Sequence, residues 1–174
     1  MFYIDCIEYL TRNNQGTLGL DFNDGFIEAT ETDLNGNILN QYHFDLKQHG
    51  FGNKAKSELQ ETISKIVNLA LLKGKDIVIE NLDFCKKKSK VTNNKKYNKM
   101  IHTLDYSKYI NYLQNACHRK QVGLIKVNPA YTSIIGEHKY GKQRKLNRHQ
   151  SASYVIARLG QGYIDVFDKY STIR

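Results

Sequence analysis

Apolar and polar residues alternate from Thr17 to Phe44, then apolar residues recur at three- and four-residue spacing, so strands give way to helices along the chain. Thr17 to Phe22, Phe26 to Thr32 and Ile38 to Phe44 read as strands. Between them, Asn23-Asp24-Gly25 and Asp33-Leu34-Asn35-Gly36-Asn37 supply residues that tolerate the positive φ of tight hairpins. That pattern predicts a three-stranded antiparallel meander. Ser57-Glu58-Leu59-Gln60 has capping-box spacing, and Leu59, Ile63, Ile66, Val67 and Ala70 then mark one helical face up to a stop at Gly74. Asp76 to Leu82 is a short, β-branched, apolar run expected to be a buried central strand. A long basic stretch follows, then a helix whose Tyr109, Tyr112, Leu113, Ala116 and Cys117 share a face, then a short strand from Gly123 to Val127. After Asn128-Pro129 the chain reads as an irregular basic loop. It leads to a last helix with Asn147 as N-cap, Gln150 three residues on, and Ala152, Val155, Ile156 and Leu159 as its buried stripe.

The order is therefore βββ-α-β-α-β-α. A meander followed by alternating α and β elements predicts an α/β fold on a mixed sheet, with helices packed on both faces. The RNase H-like fold has this order; a dinucleotide-binding fold is disfavoured because no Gly-x-Gly-x-x-Gly follows a strand. Residues 1–16 read as a short lead-in, with Phe2, Ile4 and Cys6 alternating as in a candidate extra strand. Residues 17–162 read as one domain and 163–174 as a C-terminal tail.

Two acids sit where acids are expensive. Glu80 closes the Ile77-Val78-Ile79 run, and a carboxylate at the end of a buried strand requires a cation or hydrogen-bond donors. Asp21 alternates with Leu18, Leu20 and Phe22, which puts it on the opposite face of the first strand, beside Gly19, where another backbone or a ligand could come close. In an RNase H-like sheet the first and fourth strands are neighbours. Asp21 and Glu80 would then converge, as two-metal phosphodiester hydrolysis requires, with ions about 4 Å apart. His149, three residues before Ala152 and seven before Ile156, falls on the buried face of the last helix. It is a candidate third ligand or acid-base group, with capping or phosphate contact as the alternative use. Asp165 and Asp168 are fallback acids, and Asn23, Asp24 and Asp83 read as turn formers.

Charge adds a partner. Lys plus Arg number 26 against 17 Asp plus Glu in 174 residues, a formal charge of +9 that favours polyanions, with DNA first and RNA as an alternative. Lys86, Lys87, Lys88, Lys90, Lys95, Lys96 and Lys99 leave the Glu80 strand, and Lys139, Lys142, Arg144, Lys145 and Arg148 leave the last strand. Loops at the carboxyl ends of parallel strands surround the ligand crevice, so both clusters are expected to flank the acids as a phosphate track. Tyr97, Tyr106, Tyr131 and Tyr140 are candidates for stacking on bases, with packing as the commoner use. No apolar run approaches the ~20 residues that span a bilayer, and the N-terminus lacks a secretory pattern, so no membrane partner and a cytosolic location are expected. Cys6, Cys85 and Cys117 form no Cys-x-x-Cys pair, so they read as reduced thiols and no zinc is expected.

Gly-Leu-Asp-Phe-Asn at 19–23, Ile-Val-Ile-Glu-Asn-Leu at 77–82, Asn-Pro-Ala-Tyr-Thr-Ser at 128–133 and His-Gln-Ser-Ala-Ser-Tyr-Val-Ile-Ala-Arg at 149–158 resemble the RuvC-like nuclease domain of the TnpB (OrfB) proteins of insertion sequences. The resemblance runs from about Thr17 to Gly162. It implies a Mg²⁺- or Mn²⁺-dependent endonuclease cutting DNA under RNA guidance, with Asp21 and Glu80 as the first two catalytic acids and His149 where the third, usually Asp, stands. Typical members carry a four-cysteine zinc ribbon after Pro-Ala-Tyr-Thr-Ser. This chain has Ile134-Ile135-Gly136-Glu137-His138-Lys139 there, and it begins just ahead of the nuclease-like part. A separate guide- or target-binding subunit is therefore an expected partner. The alternative is a catalytically weak or inactive nucleic-acid-binding module derived from such a nuclease.

Overall fold

The computed structural model describes residues 15–46, 53–81, 106–129 and 131–165. Five strands make one sheet: β1 (Thr17–Asn23), β2 (Phe26–Thr32), β3 (Ile38–Asp45), β4 (Asp76–Glu80) and β5 (Leu124–Val127), in the order β3-β2-β1-β4-β5. The two hairpins make β1, β2 and β3 antiparallel, and β1, β4 and β5 run parallel. The sheet is mixed for a covalent reason. Short turns can join only antiparallel neighbours, whereas β4 and β5 return in parallel after α1 (Asn53–Lys73) and a segment containing α2 (Tyr106–Lys120).

Alternation along β1 decides which side chains meet which helix. Leu18 and Leu20 join Ile27, Ala29, Ile77 and Ile79 beneath α1 and α2, which add Ile63, Ile66, Val67, Ala70, Tyr109, Leu113 and Cys117. This is the larger core, and all of these side chains are buried. Burial pushes the Cys117 thiol up to about 12, so it is an inert packing group; Cys6 and Cys85 lie outside the described residues.

The other face meets α4 (Arg148–Gly160), and its chemistry is different. Thr17 Oγ1 donates to the Ala157 carbonyl at 2.9 Å, and Thr30 and Ser153 share a hydroxyl–hydroxyl bond of 2.6 Å. Among the described residues its apolar cluster is small, Val78, Val127 and Ile156, with Ile125 and Leu159 at the margin. A Cβ on Gly19 would lie 2.3 Å from the Ser153 carbonyl and 2.4 Å from the Ala157 nitrogen, so the helix backbone rests on the bare β1 backbone. The close approach foreseen at Gly19 is therefore made by α4. Behind α4, a short helix α3 (Thr132–Gly136), a π-helical turn (Glu137–Gly141) and a last helical turn (Lys142–Arg144) pack Tyr140 against Tyr154 and Val155, which sandwiches α4 and buries residues 151 to 157.

The elements expected from Thr17 onward are present, with shifted ends. Helix α1 starts at Asn53, one turn before the Ser57 capping box, because Lys54, Ala55 and Lys56 are themselves good helix formers and extend it upstream. Strand β4 ends at Glu80 instead of Leu82, although Asn81 N still donates to the Val127 carbonyl at 2.7 Å. The basic loop expected before α4 is helical. Asn147 does cap α4: its side chain accepts from Gln150 N, and Gln150 Oε1 accepts from Asn147 N. The tail up to Asp165 is anchored, since the buried Asp165 carboxylate accepts from Lys139 Nζ at 2.6 Å, Tyr140 OH at 2.7 Å and Arg158 Nε at 2.8 Å. Among the described residues no helix is long and apolar enough to cross a membrane. The expected lead-in strand, Asp83 and Asp168 lie outside the described residues.

Gly19→Val tests the sheet–helix contact. Its side chain meets backbone that cannot give way, so a loss of about 3 kcal/mol is expected, read as a lower urea midpoint with an unchanged m-value.

Candidate functional site

One row of ionisable groups crosses the sheet. His43 on β3 pairs with Glu28 on β2, Glu28 pairs with Asp21 on β1, and Glu80 follows the last β1–β4 pair, Leu20 with Ile79, as Asp21 does. Side chains in register point to the same face. That face is the one α4 covers, so the row lies at the N-terminal end of α4, where His149 is the second helical residue.

Each acid has its own means of tolerating burial. Asp21 keeps 8% of its surface. Its Oδ2 accepts from Asn23 Nδ2 at 2.9 Å and meets His149 Nδ1 at 3.0 Å. Glu28 keeps 4%; its Oε1 lies 2.7 Å from His43 Nδ1, whose Nε2 reaches Asp45 Oδ1 at 3.0 Å. Glu80 is half-buried and accepts from the Thr132 hydroxyl on α3. Desolvation of its carboxyl pushes Glu80 up to about 7; the Thr132 bond opposes that shift and the Asp21 charge adds to it. The hydrogen bond to Asp21 raises the His149 imidazole above its ordinary value, against desolvation and the Arg148 charge.

Asp21, Glu80 and His149 are thus brought to one place, but in a particular arrangement. His149 spends Nδ1 on Asp21, and among the described residues no three His, Cys, Asp or Glu side chains group closely enough to hold a metal ion between them. Of the basic residues expected to hold nucleic acid, Lys142, Arg144 and Lys145 are exposed on the segment that leads into α4, and Arg148 is exposed as its first residue. Lys86, Lys87, Lys88, Lys90, Lys95, Lys96 and Lys99 lie outside the described residues. Lys139 and Asp165 are engaged with each other, so Asp165 serves as a structural anchor, not a reserve ligand. Of the tyrosines, Tyr140 is buried against Tyr154 at 4.7 Å while Tyr131 stays exposed; Tyr97 and the Tyr106 ring are not among the described parts.

Four participants escaped the sequence reading. Glu28 was visible only as the polar member of Ile27-Glu28-Ala29, and its pairing with Asp21 follows from the hairpin register through Asn23-Asp24-Gly25. That register could have been counted out from the turn. Asn23 looked like a turn residue. His43 comes to Glu28 through the second hairpin, and Thr132 reaches Glu80 across 52 residues, for which no local signal exists.

No protein-family model and no curated protein matches the chain.

The raised Glu80 acid has a defined linkage sign. A carboxyl that binds its proton more tightly in the folded state than its unfolded value near 4.3 loses stability as pH rises from there to about 7. Glu80→Gln, which keeps the Thr132 bond, is therefore expected to raise the unfolding midpoint above pH 7 and leave it unchanged near pH 4, measured by urea titration at both pH values. For His149 the slope has the same sign: its contribution is full below about 6.5 and lost as pH rises through its raised value. Asp21→Asn is expected to lower the imidazole titration of His149 in a ¹H–¹⁵N NMR pH series.

Proposed function

We propose that the protein is a divalent-metal-dependent endonuclease domain on an RNase H-like sheet, of the RuvC type found in TnpB proteins, hydrolysing a phosphodiester bond of DNA. The observation that carries this reading is Asp21 beside Glu80 at the carboxyl ends of adjacent parallel strands, with Asp21 adding to the upward shift of Glu80. Two acids whose charges oppose each other in a desolvated place are stabilised by a cation. The strand order β3-β2-β1-β4-β5, with only β2 running against the other four, supports the RNase H-like assignment.

The donor set fits a hard ion. Carboxylate oxygens suit Mg²⁺ or Mn²⁺, and Mg²⁺ is commonly held by one or two carboxylates with water and substrate phosphate completing its shell, so Asp21 and Glu80 suffice without a third protein ligand. When bound there, the ion supplies an activated water and charge stabilisation at the leaving oxygen. The residues do the rest. Thr132 fixes the rotamer of Glu80, Asn23 and His149 fix the carboxylate plane of Asp21, and His149 holds a proton next to the place where phosphate charge accumulates. Lys142, Arg144, Lys145 and Arg148 offer the backbone contacts that hold a strand. The same reading has the protein act in the cytosol, with a guide- or target-binding subunit supplied separately.

A second reading has its own support. Asp21 Oδ2 already has two donors, one of them an imidazole that this hydrogen bond biases toward the protonated form, and that arrangement suits a binding module that has lost cleavage. Both readings expect salt-sensitive nucleic-acid binding.

Purified protein with Mn²⁺ and labelled single- and double-stranded DNA separates them. Cleavage is expected, falling at least about 100-fold in Asp21→Ala and in Glu80→Ala, a loss of roughly 3 kcal/mol of transition-state stabilisation. Cleavage equal to wild type in both variants would refute the enzyme reading, and salt-sensitive binding with no cleavage would select the binding module.

A further inference from the structure

Tyr131 has two properties that its packing does not explain. Its backbone is left-handed, φ 65° and ψ 12°, and 69% of its surface is exposed. Among the described residues two other non-glycine positions share the positive φ, Gln121 and Lys145. Each of those follows the end of a helical segment, where a left-handed residue is an ordinary terminator. Tyr131 stands instead at the start of a helix. Ncap residues normally take an extended backbone and offer a side-chain acceptor, and Tyr131 does neither. A bulky residue in that conformation costs energy, and such strain is retained where a function holds it.

The next residue along the chain is Thr132, whose hydroxyl holds Glu80. Consecutive Cα atoms are about 3.8 Å apart, so the Tyr131 backbone is fixed beside the Asp21–Glu80 pair. The Tyr131 carbonyl is fixed as well, accepting from Ile135 N at 2.8 Å. A solvent-facing aromatic side chain is therefore carried on a held backbone, one residue from the hydroxyl that binds Glu80. Ile134, one turn on, is also exposed, and the exposed Lys142, Arg144, Lys145 and Arg148 belong to the same segment. Aromatic surface combined with cationic side chains matches one ligand chemistry, an unpaired nucleobase on a phosphate backbone.

We infer that Tyr131 is the stacking platform for an unpaired base of a single-stranded nucleic acid whose backbone crosses the Asp21–Glu80 site. This rests on the nucleic-acid reading above and narrows it to single-stranded substrate. The ring contributes to binding through its π face, so Phe can replace it and an aliphatic residue cannot. In duplex DNA the bases are already stacked, and the ring finds no partner.

The test uses a single-stranded oligonucleotide containing 2-aminopurine and its duplex, with Ca²⁺ in place of Mn²⁺ to separate binding from cleavage. Tyr131→Ala is expected to weaken single-strand binding about tenfold and abolish the 2-aminopurine quenching, and Tyr131→Phe to preserve both. Duplex affinity is expected to be unchanged in either variant. Tyr131→Gly separates function from folding. Glycine relieves the left-handed backbone, so its unfolding midpoint is expected to be no lower than that of wild type while binding falls as in Tyr131→Ala. Wild-type affinity in Tyr131→Ala, equal losses in Tyr131→Phe and Tyr131→Ala, or no single-strand binding by the wild type would each overturn the inference. Failure of the nuclease reading shows elsewhere, as cleavage insensitive to Asp21→Ala and Glu80→Ala.

Discussion

Helix α4 lies directly on the backbone of Gly19, and the acidic end of the sheet takes its form from that approach. Without a side chain at Gly19, the Ser153 carbonyl and Ala157 nitrogen come within reach of β1, and hydroxyls on Thr17, Thr30 and Ser153 fill the narrow interface with satisfied hydrogen bonds. A wider interface would need large apolar residues and would lift the N-terminus of α4 off the sheet. Because the helix is held close, its second residue, His149, reaches Asp21. The two faces of the sheet are consequently unlike: apolar and thick under α1 and α2, polar and thin under α4.

Buried charge is managed differently in different parts of the molecule, and the differences separate scaffold from site. Asp165 is a scaffold group. Burial pushes its carboxyl up, but hydrogen bonds from Arg158, Lys139 and Tyr140 together with the Arg158 charge outweigh that and hold it below the ordinary range. Glu31 follows the same rule at the far end of the sheet, where Asn40, Tyr42, Lys73 and Lys75 overcome its desolvation. Glu80 goes the other way. It accepts from the Thr132 hydroxyl, lies beside the Asp21 charge, and desolvation pushes it up to about 7. Carboxyls raised by burial and by a like charge are costly to a fold and are commonly kept for chemistry.

Much of this was legible in the chain. Period-two alternation located β1, β2 and β3, since each packs one face and exposes the other to a different chemistry, and the Asn/Gly turns located the hairpins within a residue. The isolated acids Asp21 and Glu80 stood out because each interrupts an apolar run. His149 was legible through helical spacing alone, three and seven residues from core positions. Helix ends were less legible: α1 begins at Asn53 because neighbouring residues with high helix propensity outweigh a local cap signal. The segment from Thr132 to Arg144 read as a loop because its apolar residues are few, and its helical form comes from packing Tyr140 on Tyr154.

Sequence by itself determined which residues form strands and helices, which faces they bury, and that two acids occupy buried strand positions, because these depend on periodicity and on the cost of desolvating charge. Only the tertiary structure decided what the acids meet. Glu28 joins Asp21 through hairpin register, Thr132 joins Glu80 across 52 residues, and His149 turns to Asp21 because α4 sits against a glycine. Pairings between elements distant in the chain are set by the geometry of packing, which no local pattern of residues encodes.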